Sequence, residues 1–299
     1  MDIDVKELEA PCGALVQGVD LNTSLSARQA NLIREAWLKH HVLVFPEQKL
    51  SDDDLEEFTL CFGEFGEDPY IEPIKGRKNI CAIKRLAKEK SPIFAESWHT
   101  DWSFLEIPPA GTCLYGKKIP PKGGETSFAN QHAAYNELSR DLRTHIDGKW
   151  AIHSAAAGYS PEGIFGIENL EKDRSMKIRV SKDARKTQKH PLVRKHSETG
   201  KKSVFSCFGY ISGIEGMPQD EAKDLLLELY QWQTKSEFVY QHVWQEDMLV
   251  MWDNRSLLHK ANGGGGGPHD KKRGRKWAHH NCGWLVEQRP CSGCWRCCC

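Results

Sequence analysis

Residues 99–139 read HTDWSFLEIPPAGTCLYGKKIPPKGGETSFANQHAAYNELS. The stretch opens on His99-Thr100-Asp101, an imidazole and a carboxylate two residues apart. On a strand, positions i and i+2 share a face, so both side chains can meet one ion. Far downstream, Trp252-Asp253-Asn254-Arg255-Ser256-Leu257-Leu258-His259 ends a strand with a second histidine. Two His and one carboxylate occupy one face of an iron(II) ion and leave the other positions open, as oxygen chemistry requires. Alone, His-x-Asp is a weak signal, and an isolated His99 reads as readily as an ordinary hydrogen-bonded side chain. The surrounding motifs decide between the two.

Working outward, residues 12–22 alternate apolar and polar and read as a strand. Ser26 to Gln29 is a capping-box pattern that opens a helix over 27–39, with Leu32, Ile33, Ala36 and Trp37 on one face. His41 to Phe45 reads as a buried strand. Ser51 to Asp54 opens a second helix that stops at Gly63. Residues 129–139 look helical; 190–194 and 203–208 look extended. Pro218 precedes a clear amphipathic helix, and 237–244 and 248–252 are strand candidates. Many strands with a few helices outside them suggest a β-rich core under helical cover.

Composition narrows the function classes. The 299 residues carry 41 Lys plus Arg against 41 Asp plus Glu, so no bulk charge draws the chain to nucleic acid or an anionic membrane. Mean hydropathy is −0.58, and no apolar run approaches the roughly 20 residues of a membrane span. The acidic start MDIDVKELEA has no apolar signal region, so the expected location is cytoplasmic. Five cysteines are scattered through the body and read as reduced thiols. Six crowd into 282–299.

Three segments then occur in a telling order: 99–139, HPLVRKHSETGKK at 190–202, and VMWDNRSLLHKAN at 250–262, preceded by GVDL and by HVLVF ahead of FGEFGEDP. In this order they strongly resemble the taurine dioxygenase and 2,4-D dioxygenase (TauD/TfdA) family, from about residue 10 to 262. The resemblance implies a mainly β fold with flanking helices (α+β), built on a double-stranded β-helix or jelly-roll core. It implies an enzyme that uses Fe(2+), 2-oxoglutarate and O2. A small organic substrate would be hydroxylated while 2-oxoglutarate is decarboxylated to succinate and CO2. By the same resemblance His99, Asp101 and His259 are the metal ligands, and Thr126 in GGET contacts a 2-oxoglutarate carboxylate. Asp68 stands where taurine-specific members carry a histidine, which argues against a sulfonate at that place. Asp68, Tyr70, Trp102 and Phe104 are candidates for the substrate pocket.

The sequence departs from the family after residue 262. Five glycines at 263–267 lead into PHDKKRGRKWAHHN, where the family carries arginines that clamp the far carboxylate of 2-oxoglutarate. A buried anion calls for such a charged fork. Arg275 is the first candidate for that role and Arg273 the second. Should the clamp be broken, the chain would be an impaired or repurposed binder of metal and ligand. A zinc hydrolase built on the same three ligands is disfavoured by GGET and the other motifs. The dioxygenase domain is expected over 1–285, with 263–276 a loop and 286–299 a disordered Cys-rich tail. For that tail a zinc-binding or lipidated role ranks below a nonfunctional one. A small-molecule substrate is the expected partner, with no nucleic acid and no membrane, and a homo-oligomer is left open.

Overall fold

The computed structural model describes residues 3–86, 89–121, 123–167 and 172–262, and the backbone of 277–285. The chain runs β1 (Asp4–Glu7), β2 (Ala14–Gln17), α1 (Ala27–His40), β3 (Val42–Phe45), α2 (Asp52–Leu60), β4 (Glu64–Phe65) and β5 (Cys81–Arg85). Next come β6 (Gly111–Lys118), β7 (Thr126–Asn130), α3 (Gln131–Asn136), α4 (Arg140–Ile146), β8 (Trp150–Ser154), α5 (Ala156–Tyr159) and β9 (Thr187–Pro191). It ends β10 (Val193–Lys195), β11 (Lys202–Val204), β12 (Ile211–Ile214), α6 (Gln219–Gln233), β13 (Val239–His242), β14 (Leu249–Asp253), β15 (Leu257–Ala261) and β16 (Trp277–Leu285). The architecture is mainly β with flanking helices, as expected.

The large sheet has the order β1-β2-β3-β14-β6-β16-β4, with β5 also paired to β16. A second sheet, β13-β7-β15, carries the downstream histidine. Between them Val42, Val44, Leu114, Val250 and Trp252 of the large sheet meet Phe128 and Leu257 of the second. The alternate residues Leu43, Phe45, Leu249 and Met251 pack on the other face, against Ile33 and Trp37 of α1 and Leu55 and Phe58 of α2. Strands buried on both faces are apolar throughout, which is why VLVF and LVMW read as unbroken runs. Each such buried side chain contributes about 1.5–3 kcal/mol. Both helices begin at the expected capping boxes, Ser26 with Gln29 and Ser51 with Asp54. Helix α6 lays Leu225, Leu226 and Leu229 over a separate cluster with Ile146, Leu192 and Val204.

Several boundaries differ from the sequence reading. Only 14–17 of the 12–22 stretch is a strand. Gly18 turns with φ 76°, and the Gln48 side chain then accepts from the Leu21 N–H and donates to the Val19 carbonyl in place of a ladder. The helix expected from 129 begins at Gln131, because Asn130 caps it by accepting from the N–H groups of His132 and Ala133. The expected strand 190–194 is split at Leu192 into β9 and β10, and the one expected over 203–208 is the shorter β11. Segments 263–276 and 286–299 lie outside the described residues, and with them the loop and the Cys-rich tail. Among the described residues, no helix is long and apolar enough to cross a membrane.

Candidate metal centre and cosubstrate site

The three expected metal ligands converge, though not by strand alternation. His99 forms a single antiparallel bridge with His259, which lies inside β15 rather than at the end of a strand. Immediately afterwards the chain turns: Asp101 sits in a turn, and Trp102 takes φ 47°, a left-handed conformation rare for a bulky residue. This turn, not a shared strand face, carries the Asp101 carboxylate to the imidazoles. Its Oδ1 lies 3.7 Å from His99 Nε2 and 3.5 Å from His259 Nε2. One ligand atom from each residue lies within 4.8 Å of the others.

Hydrogen bonds orient His99 and Asp101, and burial acts on His259. His99 Nδ1 donates to the Ser97 carbonyl at 2.9 Å, so the lone pair is on Nε2, facing Asp101. Burial, then the neighbouring His99, lowers His259 to about 3 and keeps its ring neutral, the form that binds a metal. The other carboxylate oxygen, Asp101 Oδ2, accepts from the Thr112 hydroxyl at 2.6 Å. Thr112 Oγ1 in turn accepts from Asn254 Nδ2, whose Oδ1 accepts from Trp252 Nε1. A relay of buried polar groups therefore orients the carboxylate from behind, as around many bound metals. A carboxylate oxygen and two imidazole nitrogens suit a borderline divalent ion such as Fe(II), and the residues present fit it.

The WDNR segment is a structural knot beside this cluster. Asp253 Oδ1 accepts from the Arg255 backbone N–H and Nε, while Oδ2 accepts from Arg255 Nη2 and His196 Nε2. Arg255 Nη1 reaches Glu198, which also pairs with Arg34. Burial alone would raise the Asp253 carboxyl, but the Arg255 charge and these hydrogen bonds hold it far below the usual carboxylate range. Arg255 thus ties the end of β14.

Thr126 opens β7 after Gly123 and Gly124, both at positive φ, and is buried. Its Oγ1 accepts from Trp244 Nε1 at 3.0 Å, leaving the hydroxyl hydrogen free to donate. Tyr70 and Phe104 belong to one apolar cluster, with Trp102 packed against it. Tyr70 stacks on Tyr159 at 4.4 Å, and Phe104 meets Tyr210 edge-on at 5.0 Å. Tyr210 reaches back to His99, with ring centroids 6.4 Å apart, so this aromatic wall adjoins the ligand cluster. Tyr159, Tyr210, Thr112 and Trp244 escaped the sequence reading; only the rigid Trp-Asp-Asn-Arg string marked that neighbourhood. Asp68 closes a turn, its Oδ1 accepting from the N–H groups of Tyr70 and Ile71. Burial raises its carboxyl to about 6 against those two bonds, and the Asp101 charge adds to the rise. Arg273 and Arg275 lie outside the described residues.

A family model, "Taurine catabolism dioxygenase TauD, TfdA family", matches residues 4–277. The chain belongs to the TauD/TfdA family. An alkylsulfatase of Acinetobacter baylyi is 32% identical, over 87% of this chain and 80% of its own. The alpha-ketoglutarate-dependent 2,4-dichlorophenoxyacetate dioxygenase of Cupriavidus pinatubonensis is 31% identical, over 87% of this chain and 92% of its own. Among solved structures, a taurine dioxygenase from Burkholderia xenovorans superposes with a TM-score of 0.77 at 27% identity, over 96% of this chain and 90% of its own. As a TauD/TfdA protein the chain has the jelly-roll core and is an alpha-ketoglutarate-dependent dioxygenase, an oxidoreductase using Fe(II), 2-oxoglutarate and O2 on a small organic substrate. The reading as an impaired binder finds no support in these relatives.

Proposed function

We propose that His99, Asp101 and His259 hold the Fe(II) of this dioxygenase, that Thr126 with Arg275 or Arg273 holds 2-oxoglutarate, and that Tyr70, Trp102, Phe104 and Asp68 border the substrate. The observation that carries this reading is the meeting of three donor atoms within 4.8 Å beside an aromatic wall. When bound, iron, 2-oxoglutarate and O2 supply the oxidation: the cosubstrate becomes succinate and CO2, and a substrate C–H becomes C–OH.

The chain's own part is placement and exclusion of water. The relay from Trp252 through Asn254 and Thr112 holds Asp101 in one orientation. The Ser97 carbonyl holds His99 in one tautomer. Thr126 offers a hydroxyl donor to a carboxylate. The rings of Tyr70, Phe104, Tyr159 and Tyr210 offer an apolar wall for the carbon skeleton that is to be hydroxylated. Asp68 at the edge of that wall disfavours a sulfonate there, and we infer a substrate whose end near Asp68 is neutral or cationic. The pairing of β16 with β4, β5 and β6 supports a catalytic domain that runs to residue 285. The free thiols of Cys12, Cys61, Cys81 and Cys207 support a cytoplasmic setting.

The test is O2-dependent succinate release with Fe(II) and 2-oxoglutarate across aryloxyalkanoates, alkyl sulfate esters, taurine, and neutral or amine-bearing aromatics. Stimulation by a neutral or amine-bearing aromatic and not by taurine supports the reading. Stimulation by taurine alone would overturn the substrate assignment.

A further inference from the structure

We propose that His242 is a positioning residue for 2-oxoglutarate, presenting beside Thr126 a second hydrogen-bond donor to the cosubstrate's far carboxylate. The proposal rests on the placement of 2-oxoglutarate at Thr126 made above.

The sheet β13-β7-β15 sets the geometry. His242 stands directly opposite Thr126, and Thr126 opposite Ala261. The adjacent row on the same face is Tyr240, Phe128 and His259. Opposed residues share a face, and so do residues two apart on a strand. His242 and Thr126 therefore lie on the face that carries the proposed metal ligand His259, one row away, about 6.8 Å along the strands. A cosubstrate whose 2-oxo end reaches the ligand cluster is long enough for its far carboxylate to lie against that row.

The row carries polar groups suited to an anion. Trp244 stands edge-on to His242 with ring centroids 4.7 Å apart, and it donates to Thr126 Oγ1. The Thr126 hydroxyl is then left to donate. His242 is buried; its Nδ1 is 2.9 Å from the Tyr240 hydroxyl, and its Nε2 has no hydrogen-bond partner among the described residues. Burial lowers the His242 ring to about 4 and, with Cys12 nearby, raises the Tyr240 phenol to about 12. At neutral pH both are uncharged. Nδ1 is the one acceptor in reach of the phenol O–H among the described residues, so we assign that hydrogen to the Tyr240–Nδ1 bond and the imidazole hydrogen to Nε2. A buried N–H without an acceptor is rare in native interiors and calls for one. The carboxylate that Thr126 is read to bind would satisfy it.

The experiment is anaerobic calorimetric titration of 2-oxoglutarate, and of 2-oxovalerate, which lacks the far carboxylate, into the Fe(II)-loaded enzyme. His242→Phe is expected to weaken 2-oxoglutarate binding roughly 10- to 100-fold, the range of a hydrogen bond to a charged group, and to leave 2-oxovalerate binding unchanged. His242→Gln, which keeps an N–H donor, is expected to stay within a few-fold of the parent. His242→Met replaces His242→Phe should the latter not fold. Equal losses for both ligands, or no loss for 2-oxoglutarate, would overturn the proposal. Thr126→Ala separates the two levels: if it leaves 2-oxoglutarate affinity intact, the placement of the cosubstrate fails. If it weakens binding while His242→Phe does not, only the role of His242 fails.

Discussion

His99 and His259 are joined by their backbones as well as by the role proposed for them. The His99 N–H donates to the His259 carbonyl at 2.9 Å, and the His259 N–H donates back to the His99 carbonyl at 2.7 Å. The two imidazoles are thus set by a ladder bridge that survives loss of either side chain. His99→Ala and His259→Ala are expected to fold with nearly unchanged melting temperatures. Each should bind Fe(II) more than about 100-fold more weakly, beyond the range of an outer-shell change. Paired thermal melts and Fe(II) titrations check this. A collapse in melting temperature would show that the imidazoles, and not the bridge, hold the two segments together.

Thr112 touches no proposed ligand site of its own, yet it holds Asp101 Oδ2 at 2.6 Å and accepts from Asn254. Thr112→Val keeps the shape and removes both bonds. Fe(II) affinity should fall about 10- to 100-fold, in the manner of an outer-shell partner. An unchanged affinity would mean that Asp101 needs no orienting.

Asp253 is buried among Arg255 and His196, and its carboxyl is depressed in the folded state. Such a group contributes stability above its unfolded value of about 4 and loses it as the pH falls further. Asp253→Asn should cost about 3–5 kcal/mol at pH 7, since Arg255 loses a buried charged partner. The difference from the parent should shrink below pH 4. Urea unfolding at pH 7 and at pH 3.5 reads both.

Asp68 has the opposite sign. Its folded carboxyl is raised to about 6 by burial, so its contribution favours folding below the unfolded value and weakens as pH rises from about 4 through 6. Asp68→Asn, which keeps an oxygen for the Tyr70 and Ile71 amides, should raise the melting temperature at pH 8 and change it little at pH 4. A lower melting temperature at pH 8 would show that the charge itself holds the turn.

Legibility in the sequence followed the physics of each segment. The runs VLVF and LVMW were readable because strands covered on both faces carry no polar positions, and the two capping boxes were readable because their hydrogen bonds are local. The jelly-roll core and the identities of His99, Asp101 and His259 came from the order of family motifs. The manner of their meeting did not. Trp102 adopts φ 47° without a glycine to announce it, so the turn that delivers Asp101 left no mark in the residues. Gln48 was equally silent, because a side chain standing in for a ladder 27 residues away follows no period. Thr112 and Tyr210 matter through contacts made across the fold, which spacing along the chain cannot encode.

The central claim is tested most directly by adding Fe(II) and 2-oxoglutarate to the protein without oxygen and recording the visible spectrum. The expected result is the weak metal-to-ligand charge-transfer band of the chelate in the parent protein, absent in His99→Ala and His259→Ala. Iron binding with no band at any 2-oxoglutarate concentration, or a band that persists in both variants, would contradict the account.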